Sequence, residues 1–376
     1  MPFTIDHIRT ARAGRSAWRV GASGIAYLLV VLLAPERGIA ALSGPEIYDQ
    51  ACAACHGSDG RGAPTGTAIE VPLPDFTDCK FVTAESTANW FGLVKYGGKF
   101  LGLSPQMPGF GDVLSDAEIR SAIDQVRGFC TDERWPVGDL NFPRLVFVEK
   151  AFPEDELVAS FFPASARHEN VYEGETSGEM RIGPRGWLEA SVPVAGTVPD
   201  TGSGRAGVGD AAIAYRQAIL VAPAWRSIAS AGVELAIPTG NRHHGVGSGT
   251  PVVEPQLLSG HALGPLVAQA QIIALLPGDA ERVGREMLYR VALQYPLGPY
   301  KKNLVPAIEL EQSQALDSAV RAYTVLGPSL YVPLSRRGHV AVGVGAQLPV
   351  AGTRPFDWRL GSFLLWEYND GPFWAW

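Results

Sequence analysis

Cys52-Ala53-Ala54-Cys55-His56 places two thiols and an imidazole side by side in the chain. Cysteines separated by two residues lie about one helical turn apart, so each can reach one vinyl group of a porphyrin while the next residue aims its imidazole at the iron. This is the C-x-x-C-H arrangement of covalent c-type haem attachment. Half of a zinc site and a redox dithiol are the competing uses of such a pair. The chain holds only 4 Cys, however, and no second Cys/His pair stands at zinc-finger spacing. The expectation is one covalently held haem c, anchored by Cys52 and Cys55, with His56 on the iron.

A sixth iron ligand would be a methionine or a histidine. Ser104-Pro105-Gln106-Met107-Pro108-Gly109-Phe110 offers a Met in a Pro-flanked loop, and of the 4 Met in the chain the others are Met1, Met180 and Met287, the last two in strand-like segments. Met107 is therefore the expected axial partner of His56. Two protein ligands close the iron, which favours outer-sphere electron transfer over chemistry at an open coordination position, and a Met/His pair raises the reduction potential. An electron carrier is expected, not an enzyme.

Helix signals surround these residues. Ser43-Gly44-Pro45-Glu46 reads as a capping box with Pro near the first helical position, opening a helix that runs into Cys52. Ser115-Asp116-Ala117-Glu118 is a second capping box, followed by one apolar stripe of Ile119, Ile123, Val126 and Phe129. Between them, Thr87 to Tyr96 forms a helix stopped by Gly97-Gly98. The segment from about Gly44 to Cys130 resembles a class I cytochrome c. The resemblance implies that its first and last helices cross and that haem fills the core between them. Cys79 and Cys130 are left over; an even remainder in an exported domain favours a disulfide, with two buried free thiols as the alternative.

The first forty residues read as an export signal, with Arg9, Arg12, Arg15 and Arg19 before an apolar stretch from Val20 to Leu33 and small residues at Gly38-Ile39-Ala40. Without that segment, which carries five Arg and two acids, 31 basic and 38 acidic side chains fall to 26 and 36. A net charge of −10 argues against electrostatic nucleic-acid binding. Residues 41–131 are then the haem domain, and 132–144, with Pro136, Gly138 and Pro143, a linker.

From residue 145 to 376 the helical period gives way to alternation. Val340, Val342, Val344, Ala346, Leu348 and Val350 interleave with small or polar residues, and Met287 to Tyr295 and Ala229 to Ile237 repeat the pattern. Further runs cover 187–194, 209–221, 263–275, 304–311, 319–332 and 359–368. Runs of about ten residues suit tilted transmembrane strands, and twelve or so fit the length. The fold class expected is multidomain: an all-α cytochrome c-like domain followed by an all-β antiparallel barrel. Arg290, Gln294, Glu234 and Gln347 on the alternate face suit a wetted lumen, and the aromatic Trp376 at the end resembles the insertion signal of bacterial outer-membrane barrels. A soluble β-sandwich would give similar alternation.

Glu234-Leu235-Ala236-Ile237-Pro238-Thr239-Gly240-Asn241 and then Gly245-Val246-Gly247-Ser248-Gly249 resemble the outer-membrane channels associated with phenol-degradation pathways. That resemblance implies passage of small solutes. Other signals are weaker. Gly202-Ser203-Gly204-Arg205-Ala206-Gly207 fits G-x-G-x-x-G but has no helix after it. His243-His244 has no third metal ligand nearby in sequence, Trp90, Tyr96 and Phe110 are expected to pack the haem pocket, and Glu309 and Glu311 line a lumen or face water. The expectation overall is a monohaem electron carrier, its haem domain in the periplasm on an outer-membrane barrel, exchanging electrons with a soluble periplasmic donor or acceptor protein. The alternatives are a solute channel with the haem domain as plug or sensor, and a soluble redox subunit whose β-sandwich binds a partner.

Overall fold

The structure, a computed structural model, describes residues 42–376 apart from 64, 65, 67, 70, 242–244, 299–303, 318–321, 370, 371, 375 and 376. The export signal, His243-His244 and Trp376 lie outside the described residues.

The helical unit opens at Ser43, whose N–H and hydroxyl both donate to the Glu46 carboxylate at 2.9 and 2.7 Å. The chain runs through α1 (Gly44–Ile47), a π-helical turn (Tyr48–Cys52) and α2 (Ala53–His56). There follow α3 (Cys79–Ala84), α4 (Thr87–Tyr96), a 3-10 turn (Gly98–Leu101) and α5 (Asp116–Arg127). The α4 and α5 starts are fixed by Ser86 and Ser115, whose hydroxyls accept the Asn89 and Glu118 N–H groups. Helices α1 and α5 cross at a glycine: a Cβ on Gly44 would lie 2.3 Å from the Ser121 carbonyl oxygen. Tyr48, Phe91, Ile119 and Ile123 fill the core beneath.

Thirteen strands follow among the described residues: β1 (Glu156–Ala166), β2 (Glu169–Ile182), β3 (Gly186–Pro199), β4 (Arg205–Val208), β5 (Ala212–Ala222), β6 (Ser227–Ala236), β7 (Val252–Leu263), β8 (Leu266–Pro277), β9 (Glu286–Gln294), β10 (Val305–Ala315), β11 (Tyr323–Pro333), β12 (Val340–Gly352) and β13 (Trp358–Glu367). Each pairs antiparallel with its neighbour, and β1 pairs with β13, Glu156 opposite Glu367, so the sheet closes on itself. Strand β4 is a flap on β3, which leaves a ring of twelve. The expected antiparallel barrel is what forms, not the two-sheet sandwich.

The barrel is apolar outside and polar within. Val344, Leu348 and Val350 of β12 point outward and are about half exposed, while Gln347 between them is fully buried. Val291 and Leu293 alternate in the same way with Ala292 and Gln294 in β9. Strands β1, β2 and β7 were not among the alternating runs of the sequence, for local reasons. Outward positions of β2 hold Gly174, Thr176 and Gly178 in place of large apolar residues, and β7 has adjacent Leu257 and Leu258 facing opposite ways. In β1 both faces are apolar, Leu157 and Phe161 outside and Val158 inside.

The expected linker and barrel boundary at 144/145 falls within a segment that lies in the lumen. From 140 to 155 the chain dips into the barrel before β1 begins at Glu156. Leu140, Phe142 and Phe152 pack on Ala218, Ile228, Leu258 and Val267 of the wall, and Val146 and Phe147 on Tyr331, Ala341 and Phe363. Irregular backbone buried inside a barrel must have its polar groups satisfied by protein. Glu309 accepts the Val146 and Phe147 N–H groups at 3.0 and 2.8 Å, the Gln269 and Gln294 side chains donate to the Pro143 carbonyl at 2.9 and 3.0 Å, and Ser230 donates to that of Ala151. Arg216 pairs with Glu149 at 2.8 Å. Glu309 therefore holds the segment's backbone in place, and residues 140–155 of the chain itself lie within the barrel.

Candidate haem site

A cavity of about 1150 Å³ opens in the helical unit, and Cys52, Cys55, His56 and Met107 all line it. It exceeds the roughly 300–1,000 Å³ common for small-molecule pockets, which leaves room for a porphyrin. Its walls are largely apolar, with Phe76, Trp90, Leu93, Val94 and Phe110 among them. Phe76 stacks on the His56 ring, centroids 5.0 Å apart, and tilts against Trp90 at 6.2 Å.

The attachment pair sits where the first helix changes pitch. Cys52 ends the π-helical turn and Cys55-His56 ends α2, with Gly57 at φ +74° breaking the helix straight after. Local π turns inside helices are common at functional positions. Tyr48, one turn upstream, donates its hydroxyl to the Gly57 carbonyl at 2.8 Å and ties down the bend. Neither Cys52 nor Cys55 is in a disulfide. Burial and the neighbouring Cys55 push the Cys52 thiol up to about 11, so it stays a thiol at neutral pH. Burial lowers the His56 pKa and favours the neutral imidazole that binds metal. The buried His56 Nδ1 meets no hydrogen-bond partner. Free thiols, a neutral imidazole and an apolar cavity form a donor set and volume that fit haem.

Met107 reaches the cavity through a loop locked to α4. The Gly98 N–H donates to the Met107 carbonyl at 2.9 Å, and Phe110 N–H to that of Val94 at 2.9 Å. The loop packs so closely that a Cβ on Gly98 would lie 2.0 Å from the Ser104 carbonyl oxygen, and one on Gly97, at φ +80°, 2.8 Å from that of Met107. The two glycines expected only to stop a helix thus also make the seat for the Met loop. On the far side, Cys79 and Cys130 are bonded as expected, closing a separation of 51 residues, a loop worth about 4 kcal/mol on the chain-entropy account. Trp90 and Phe110 line the cavity, whereas Tyr96 turns outward onto Phe100 at 4.9 Å.

Residues 40–124 match the family described as cytochrome C oxidase, cbb3-type, subunit III. The helical unit is a c-type cytochrome domain. No curated protein is detectably similar to the chain. Among solved structures, an outer membrane channel from Pseudomonas putida F1 is 15% identical with a TM-score of 0.45, covering 60% of this chain and 99% of that one. The KdgM porin is 9% identical over 57% of this chain and 99% of its own, TM-score 0.38. The beta domain of the Bordetella autotransporter BrkA is 12% identical over 57% and 100%, TM-score 0.38.

The cytochrome domain is docked on one mouth of the barrel. Lys80 pairs with Asp155 at 3.0 Å, the Arg185 guanidinium donates to the Arg134 and Glu133 carbonyls at 2.6 and 3.1 Å, and Asn141 donates to the Ala84 carbonyl at 3.2 Å. Its cavity faces that mouth, because Glu154, Asp155, Arg181 and Arg337 join its lining. These barrel-side residues had no signature in the sequence: a charge at a strand end or turn, as all four are placed, looks the same whether it meets water or another part of the chain. The G-x-G-x-x-G match also resolves here, since Gly202 and Gly204 lead into β4 and no helix follows.

Proposed function

We propose that this chain is a one-electron carrier: a monohaem c-type cytochrome domain held at the bacterial outer membrane by its own barrel. The observation that carries this reading is the convergence of Cys52, Cys55, His56 and Met107 on one cavity. Cys52 and Cys55 would anchor the group by thioether bonds, and His56 and Met107 would ligate its iron. Haem bound there would supply a one-electron couple. The apolar walls would keep water from it, and two protein ligands on the iron would favour outer-sphere electron transfer over chemistry on a substrate.

The barrel serves as anchor rather than conduit in this reading, supported by the 140–155 segment that fills its lumen. Its outward rows of Val, Leu and Ile suit lipid. The mouth under the cytochrome domain carries the connections 183–185, 223–226, 264–265, 295–304 and 334–339, and the opposite mouth, beside the short 167–168, carries ones as long as 237–251. Shorter periplasmic turns and longer outer loops are the rule in such barrels, which supports a periplasmic cytochrome domain; its partner would be a soluble periplasmic redox protein.

The test is a haem-stained gel of fractionated cells, membrane samples run unheated and boiled, followed by planar-bilayer recording of the purified protein. Stain on an outer-membrane band that shifts on boiling, with no steady conductance, is the expected result. An unstained band overturns the carrier, and sustained current in the intact protein overturns the anchor.

A further inference from the structure

The haem cavity is not closed by the cytochrome domain alone, and the barrel side of it contains a cation of unusual standing. Arg181, near the end of β2, lines the cavity, is 8% exposed, and has Nε and Nη2 without hydrogen-bond partners. A buried guanidinium with unmet donors is costly, and burial of a charge is ordinarily compensated by a paired anion. The acids nearby are engaged elsewhere. Glu154 accepts from Lys150 at 2.9 Å, and Asp155 pairs with Lys80 at 3.0 Å, accepts from the Tyr368 hydroxyl at 3.4 Å, and takes from Arg181 its backbone N–H, at 2.9 Å. The guanidinium is held in place by aromatic faces, Trp135 at 5.1 Å and Phe152 at 5.3 Å. One of those belongs to the strap leaving the cytochrome domain and the other to the lumen segment.

Haem carries two propionate carboxylates, and a guanidinium fork is the side chain best matched to a carboxylate. We infer that Arg181 binds a propionate of the haem, so that the barrel wall supplies part of the cofactor site and the cofactor links the two domains. The inference rests on the haem reading of Cys52, Cys55, His56 and Met107. Arg181 acts on the iron through charge: a cation close to the haem favours the ferrous state, and its removal lowers the reduction potential.

Redox titration of the full-length holoprotein tests this, with the haem stain of the wild type read first. An unstained wild type refutes the haem reading, and the inference falls with it. With stained wild type, Arg181→Gln is expected to keep the stain and the heat shift of the barrel while the midpoint potential falls, a tenfold change in the ferric to ferrous ratio at fixed potential being about 59 mV. Arg181→Lys, which restores the charge, is expected to recover most of that fall. Arg181→Met keeps an unbranched stem against Trp135 and Phe152, and is the variant to titrate should Gln abolish the heat shift. A wild-type potential in the neutral variant that folds overturns the role of Arg181 while leaving the haem assignment standing.

Discussion

Met107 and His56 are the two residues on which the redox reading turns, and they were legible for different reasons. His56 is bound to its motif by adjacency, whereas Met107 was found by its Pro-flanked loop. Both line the same cavity. Met107→Ala is expected to leave covalent haem in place, because the thioether anchors are untouched. It should change the ferric spectrum, admit an added ligand such as cyanide at the vacated position, and lower the potential, since the Met/His pair is what raises it. An unaltered spectrum and potential would show that another residue takes the axial position. What the sequence hid at this scale is direction: Tyr96 carries the same ring as Tyr48, yet at the end of α4 it turns to the surface, while Tyr48 in the π turn is buried in the core.

Among the elements, the helices were readable because their ends are written in side chains. Ser43, Ser86 and Ser115 each stand one residue before a helix, and Gly97 ends α4. The π turn that ends at Cys52 has no such mark. Gly98 shows how an element end doubles as a seat: Gly98→Ala would force its Cβ onto the Ser104 carbonyl and push the Met loop away. The expected loss is about 1–3 kcal/mol, the range for overpacking, read as a lower melting temperature together with a partly Met-free ferric spectrum. An alanine variant with native melting and spectrum would remove the two-glycine seat from the account. Strands β9 and β12 announced themselves through clean alternation, while β1, β2 and β7 did not, because packing on the lumen segment or outward glycines blurs the period.

At the scale of the whole molecule, inward and outward faces are reversed relative to a water-soluble protein: large apolar side chains lie outside and Gln, Glu and Arg inside. The sequence pattern carried that reversal, but not the occupant of the lumen. Residues 140–155 have no period of their own, and their fit depends on wall residues more than a hundred positions later, such as Glu309. Glu309→Ala would strip two buried N–H groups of their acceptor, each costing about 1–3 kcal/mol. Replacing residues 141–151 by a flexible polar linker goes further and empties the lumen. The expected outcome is intermittent current from Glu309→Ala in planar bilayers and steady current from the replacement, with the haem stain retained in both. Silence in the replacement variant would mean that the wall side chains alone close the barrel.

The lumen segment enters beside Asp139, which Arg226 holds at 2.6 Å in the turn between β5 and β6, and it returns to the same mouth where β1 starts at Glu156. It is therefore a loop laid into the barrel, not a strand threaded through it. No strand pairing has to break for it to leave, and no free chain end has to pass through a closed ring for it to arrive. The seam between β1 and β13 can therefore close with the loop either inside the barrel or still outside it.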